Sequence, residues 1–227
     1  MITLEVARKV LEIVDCGLVR GLGSPTPGQM CVEAAVCYAL GLPHSDKPGC
    51  VGSAVRTFKI AINDKNWSSD KARANGLRRI AVAQLGSDKL DQVEFAKRLS
   101  KYTIQEILPF ALSFLKQTNK VKEAIEKCQD GSIESVRYAQ KTADAAYAAA
   151  YAADAAADAA DAAAYAAANA ANAAYAAANA ADAAADAAAD AAADAADNTL
   201  VKMAELGIRV LREMGCDGVA LMDQLGI

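Results

Sequence analysis

Thr142-Ala-Asp-Ala-Ala-Tyr-Ala-Ala-Ala-Tyr-Ala-Ala-Asp154 opens a run that continues to Asp197-Asn-Thr199 and holds 39 alanines. Within it an Asp, Asn or Tyr recurs at 144, 147, 151, 154, 158, 161, 165, 169, 172, 175 and on to 197, a mean spacing of about 3.5 residues. A helical turn takes 3.6, so these side chains fall on one slowly drifting stripe with alanine around the rest of the circumference. Alanine is the best helix former, and a strand would need period two. The tract is predicted to be helical. As one straight helix it would span roughly 87 Å, against a radius of gyration of about 17 Å for a compact chain of this length. It therefore projects as a rod or folds back. The two consecutive three-residue steps Asn169, Asn172, Tyr175 mark a turn near Ala170, and the reading favours an antiparallel hairpin that brings Tyr165 near Tyr175 and Asp154 near Asp186.

Alanine buries little area, so the tract needs a partner surface. The sequence offers two. After it, Val201, Leu206, Val210, Leu211 and Met214 form an apolar face that stops at Gly215. Before it, 1–131 punctuates into helices of ordinary length. Thr3 caps a helix with Val6, Val10, Ile13 and Val14 on one face, ended by Gly17. A helix from about Gln29 to Leu40 ends at Gly41, and Ser53 caps one bearing Val55, Phe58 and Ile62. Ser68 caps the next, with Asp70 in its first turn and Trp67 stapled on Ala72. Ser87-Asp88 starts another, Pro109 kinks or restarts the helix from Tyr102 to Gln117, and Val121, Ile125 and Cys128 mark a short helix before Asp130-Gly131. No segment alternates with period two. The expected fold is all-α: an N-terminal multi-helix domain over 1–131, then 132–227, with Ser132 capping the alanine-rich helix or hairpin and a C-terminal helix closing the chain, packed on the first domain.

The net charge of −4 conceals an imbalance: 1–141 carries +6, 142–199 carries −9, and 200–227 carries −1. Nine aspartates would repel phosphates, which argues against nucleic acid as the partner. No run of about 18 apolar residues escapes a polar interruption, so no membrane span is expected. The opening Met1-Ile-Thr-Leu-Glu5 lacks an export pattern, and a cytoplasmic location follows as the expectation. Six scattered cysteines then read as free thiols, and a single His with no CxxC excludes zinc sites built on two or more histidines. No metal or cofactor is expected.

The stretch Ala124-Ile-Glu-Lys-Cys-Gln-Asp-Gly-Ser-Ile-Glu-Ser-Val-Arg-Tyr-Ala-Gln140-Lys141, running into Ala-Asp-Ala-Ala-Tyr repeats, resembles alanine-rich immunity proteins of bacterial toxin systems and related uncharacterised phage proteins, mainly over 120–215. The resemblance implies an all-helical cytosolic protein that binds and neutralises a partner. It brings no catalytic residues.

Three sets of side chains carry candidate chemistry. Cys31 near a helix N-terminus, with His44 and Asp46 in the following loop, sketches a cysteine-dependent hydrolase, against the plainer reading of a buried thiol and a surface histidine. Glu33 is expected to hydrogen-bond the Gly/Pro-rich loops. Lys71, Arg78 and Arg79 share a helix side that could grip phosphate or an acidic partner. Asp182, Asp186, Asp190 and Asp194, at four-residue spacing, could meet cations or a basic partner, or keep the helix soluble. The function expected is a non-enzymatic binding protein that inhibits or sequesters a protein or small-molecule partner, immunity-like or anti-defence-like. The hydrolase is one alternative. A structural module that self-associates through its alanine-rich helices into a homo-oligomer is the other.

Overall fold

The computed structural model describes residues 2–113, 119–132 and 193–227. Ser132 is described, its N–H donating to Asp130 Oδ1 at 2.7 Å, but the helix it would cap is not: the predicted alanine-rich helix, rod or hairpin, through 192, and with it Asp182, Asp186 and Asp190, lies outside the described residues. So does the side chain of Asp194, whose backbone falls in a helix. The described residues are helical, with one isolated antiparallel bridge, Gly23 to Met30, and no strand.

The helices are α1 (Leu4–Asp15), α2 (Val32–Ala39), α3 (Ser53–Asn63), α4 (Asp70–Ala83), α5 (Gln92–Tyr102), α6 (Leu108–Ser113), α7 (Asn119–Lys127), α8 (Ala193–Glu213) and α9 (Asp217–Gln224). Helix α4 sits in the middle and packs on α1, α8 and α9. Its inward residues Ala74, Leu77, Ile80, Ala81, Val82 and Ala83 are small or branched, so neighbours come close. A Cβ on Gly207 of α8 would lie 2.6 Å from Phe58 Cε1 and 2.9 Å from Ile80 Cδ1, contacts no real Cβ makes. Glycine is what lets α8 reach the α3/α4 floor. One apolar core thereby takes residues from both sides of the 131/132 position: Phe58, Leu77 and Phe95 with Leu200, Met203 and Val210. Of the predicted α8 face, Leu206, Val210 and Leu211 are buried, while Val201 and Met214 are half-buried.

Several helix ends stand where the sequence put them. Thr3 Oγ1 accepts the Val6 N–H at 3.3 Å, and Gly17, Gly41 and Gly86 close their segments at positive φ. Others differ for identifiable reasons. Helix α2 begins at Val32, three residues late, because the chain before it is held in a loop by Val19 N–H to Met30 O (3.1 Å), Ser24 N–H to Gln29 O (2.7 Å) and Cys31 N–H to Leu22 O (3.2 Å). At α3 the N-cap is Gly52, not Ser53, and a distant residue caps it: Gln92 Oε1 accepts the Ala54 N–H at 3.1 Å. At α4 the cap is Ser69, one residue after the predicted Ser68, because Asp197 accepts the Ser68 N–H at 3.0 Å and its hydroxyl as well. Trp67 reaches over Gly76 and donates its indole N–H to Ile62 O at 2.9 Å. Ser87–Lys89 makes only a 3₁₀ turn, and Asp91 caps α5. Between α5 and α6 the chain widens into a π-turn, Thr103–Ile107, where the Leu108 N–H bonds Thr103 O, five residues back. Pro109 then falls in the first turn of α6, where a missing N–H costs least.

Candidate functional site

Among the described residues, the corner built by the 17–31 loop, α2, the 41–52 loop and α3 brings together four of the nine buried polar side chains, Glu33, Lys59, Asn63 and Arg73. Arg73 of α4 anchors it. That side chain is 5 % exposed and donates to Asn63 O (2.8 Å), Leu18 O (3.1 Å) and Lys65 O (3.4 Å), with Asp70 as its carboxylate partner. It thus satisfies carbonyls at the end of α3 that no helix N–H can reach. Buried Asn63 extends the lattice, accepting the Val32 N–H at 3.3 Å and donating to Val19 O at 3.0 Å. Asp64 accepts the Gly21 N–H at 2.8 Å. The first part of the 17–31 loop, Leu18 to Gly21, is therefore pinned by Asn63 of α3, its cap Asp64 and Arg73 of α4.

Under this lattice lie Glu33 of α2 and Lys59 of α3, 3.4 Å apart and both wholly buried. Neither carboxylate oxygen nor the ammonium meets hydrogen-bond geometry. Burial pushes the Glu33 carboxyl above its usual range and the Lys59 amine below its own, against their mutual attraction. Desolvation therefore outweighs Coulomb gain here. Arg56 and Asp46 also reach Glu33 electrostatically, and Cys31 and Cys50 reach Lys59. The expectation that Glu33 would bond the loops is corrected: its partner is a lysine 26 residues onward, a pairing that only the packing of α2 on α3 creates.

Cys31 is the N-cap of α2, its Sγ accepting the Ala34 N–H at 3.4 Å. Burial raises its thiol pKa, more than the helix N–H groups lower it. Cys37 is pushed up to about 11 by the same cause. His44 Nε2 donates to Gly23 O at 3.1 Å, so it carries a proton there, and among the described residues no hydrogen bond joins it to Cys31. Cys31 and Asp46 do line one cavity, with Leu22, Ile60, Asn63 and Asp64, but its volume is about 50 Å³, room for water-sized guests. No hydrogen bond links Cys31, His44 and Asp46 to one another among the described residues. The thiol is a buried cap and the imidazole a strut between two loops. All six cysteines are free, and among the described residues no group of acidic, cysteine or histidine side chains could hold a metal.

The basic side of α4 meets partners on neighbouring helices along the surface. Arg78 grips Asp15 of α1 through two bonds of 2.7 and 3.1 Å, Arg79 pairs with Glu205 of α8, and Lys71 donates to Asp15 O at 3.2 Å. These three residues tie α4 to α1 and α8.

Among its exposed residues, which include Arg20, Gln29 and Lys47, the corner also leaves three large apolar side chains outside. Leu22 is 43 % exposed, Tyr38 39 % and Leu42 44 %, the exposed large hydrophobics among the described residues. Tyr38 lies in the last turn of α2, Leu42 follows the Gly41 turn that ends it, and the His44–Gly23 bond draws the Leu22 loop to the Leu42 loop. Sequence reasoning passed over all three, since an exposed leucine beside glycine and proline has no signature. No family model, curated protein or solved structure matches the chain. Among the described residues no helix is long and apolar enough to cross a membrane.

Proposed function

We propose that this protein is a non-enzymatic binding protein that inhibits or sequesters a protein partner in the cytoplasm, in the manner of an immunity or anti-defence protein. The observation that carries the reading is the apolar trio Leu22, Tyr38 and Leu42 on a corner held by buried side-chain bonds to backbone. Leucines left in water on an ordered loop cost solvation free energy, and a rigid apolar rim meets a partner with little ordering entropy to lose. The resemblance of 120–215 to alanine-rich immunity proteins points the same way. The hydrolase reading is weakened by the state of Cys31, a raised-pKa thiol used as a cap.

The test compares the full chain with a Leu22→Asp/Leu42→Asp variant as baits in a native-host lysate. A protein retained stoichiometrically by the parent and lost by the variant, with its own activity suppressed by the parent alone, is the expected result. Retention by both baits, or by neither, counts against the reading.

A further inference from the structure

In Val32-Glu-Ala-Ala-Val-Cys-Tyr-Ala39, α2 has every residue except Tyr38 buried, against α1, α3 and α4. Ordinarily an apolar stripe with a polar back decides how a helix is rotated in its seat. Helix α2 has no such contrast. Ala34, Ala35, Cys37 and Ala39 also offer its neighbours nearly the same small shape in several rotations, so steric fit discriminates weakly. Apart from Tyr38 on the outside, the side chain that distinguishes its buried faces is Glu33, which meets Lys59 in an ion pair whose side chains are both 0 % exposed. Every other described ion pair has at least one side chain open to solvent. A step of one residue in the rotation of α2, roughly 100°, would carry Glu33 away from Lys59 and leave both charges buried without a partner.

We propose that the Glu33–Lys59 pair is a register pin: it adds little net stability and instead selects one rotation of α2, the rotation that keeps Cys37 inside and Tyr38 outside. The absence of hydrogen-bond geometry around either group fits a pair retained for its position and not for its strength. Arg56 of α3 and Asp46 of the 41–52 loop, of opposite charge, also act on Glu33 electrostatically and are unsubstituted in the variants below. The pin stands whether or not the corner binds a partner.

The chain carries its own reporters. Cys37 on α2 is 1 % exposed, Cys128 and Cys216 are buried elsewhere, and Cys16 is open to solvent. The experiment places Glu33→Leu/Lys59→Met in the full-length protein, follows thermal unfolding, and measures the rate at which iodoacetamide labels each cysteine by peptide mass spectrometry. Expected are a Tm within about 4 °C of the parent or above it, labelling of Cys37 accelerated by about tenfold or more, and unchanged rates at Cys128 and Cys216. A charge-swapped Glu33→Lys/Lys59→Glu chain should return Cys37 to its protected rate. A folded Leu/Met variant whose Cys37 stays as protected as in the parent overturns the proposal. So does a Leu/Met variant that fails to fold, because the pair would then be supplying stability and not register.

Discussion

Glu33 and Lys59, at 3.4 Å, form an ion pair from which water is wholly shut out, and burial moves each group's pKa toward its neutral form despite the facing charge. The pH dependence follows with a definite sign. Because the Glu33 value is raised, its share of stability is full below the ordinary carboxylate range and is lost as pH rises through the folded value. Because the Lys59 value is lowered, its share is full above the ordinary lysine range and is lost as pH falls through the folded value. The charged pair therefore favours folding least in the interval between. The Glu33→Leu/Lys59→Met variant should show its largest advantage over the parent near neutrality, narrowing toward about pH 4 and about pH 10. Urea midpoints over that range measure it, and an advantage that grows toward either end contradicts the assignment.

Removing only one partner differs in kind. Lys59→Met leaves a carboxylate in the core and should cost about 3 kcal/mol at pH 7.5, recovering as acid protonates Glu33. Chemical denaturation at pH 7.5 and 5 reads both effects.

Arg73 satisfies three carbonyls from two places in the chain, Leu18 and the Asn63–Lys65 stretch at the end of α3. Arg73→Met should cost about 2–4 kcal/mol, and Arg73→Lys should recover little, since an ammonium cannot span the fork. Hydrogen exchange should speed up first at the amides of Val19 and Gly21, while the α8 amides keep their protection.

Gly207→Ala pits helix propensity, a gain of up to about 1 kcal/mol, against a Cβ 2.6 Å from Phe58. The aromatic edge should win, for a net loss of about 1–3 kcal/mol in a thermal melt. A stabilised variant would show that α8 is seated less closely than described.

Thiol chemistry separates the binding and hydrolase readings. Cys16 is exposed, while burial pushes Cys128 up to about 12 and Cys216 to about 11 and raises Cys31 and Cys37 as well. At neutral pH, iodoacetamide should modify Cys16 first and Cys31 no faster than Cys128. Preferential modification of Cys31 would restore the hydrolase.

The all-helical character and many boundaries were legible because they rest on local chemistry: a threonine at an N-terminus, a glycine at positive φ, a 3.6-residue rhythm. The misplaced boundaries share a cause. Ser68 lost its cap role to Ser69 because Asp197, 129 residues away, holds it. Gly52 caps α3 because Gln92, from α5, serves the Ala54 N–H in place of a local side chain. Glu33 reads in sequence as a partner for the Gly/Pro-rich loops and Lys59 as an ordinary helix residue, and only the packing of α2 on α3 turns them into a pair. The basic side of α4 was visible as a cluster, but its partners Asp15 and Glu205 sit on other helices, so sequence spacing could not show that the charges face one another. The exposed corner lay beyond reach for the opposite reason, since its leucines are notable only for what does not cover them.

The π-turn at Thr103–Ile107 bears on how this chain can change in length. It accommodates one residue more than an α-helix would need to cover the same rise, so the fold has absorbed what amounts to an insertion inside a continuous helical run. Deleting one residue of that turn would return the hydrogen bonds to α-helical order and leave α6 close to its present phase, with Leu108 and Leu112, now 2 % and 1 % exposed, still in the core. The irregular turn is thus a place where the chain can lose a residue, and a single-residue deletion should be far better tolerated there than in the middle of α4, where it would turn everything downstream by roughly 100°.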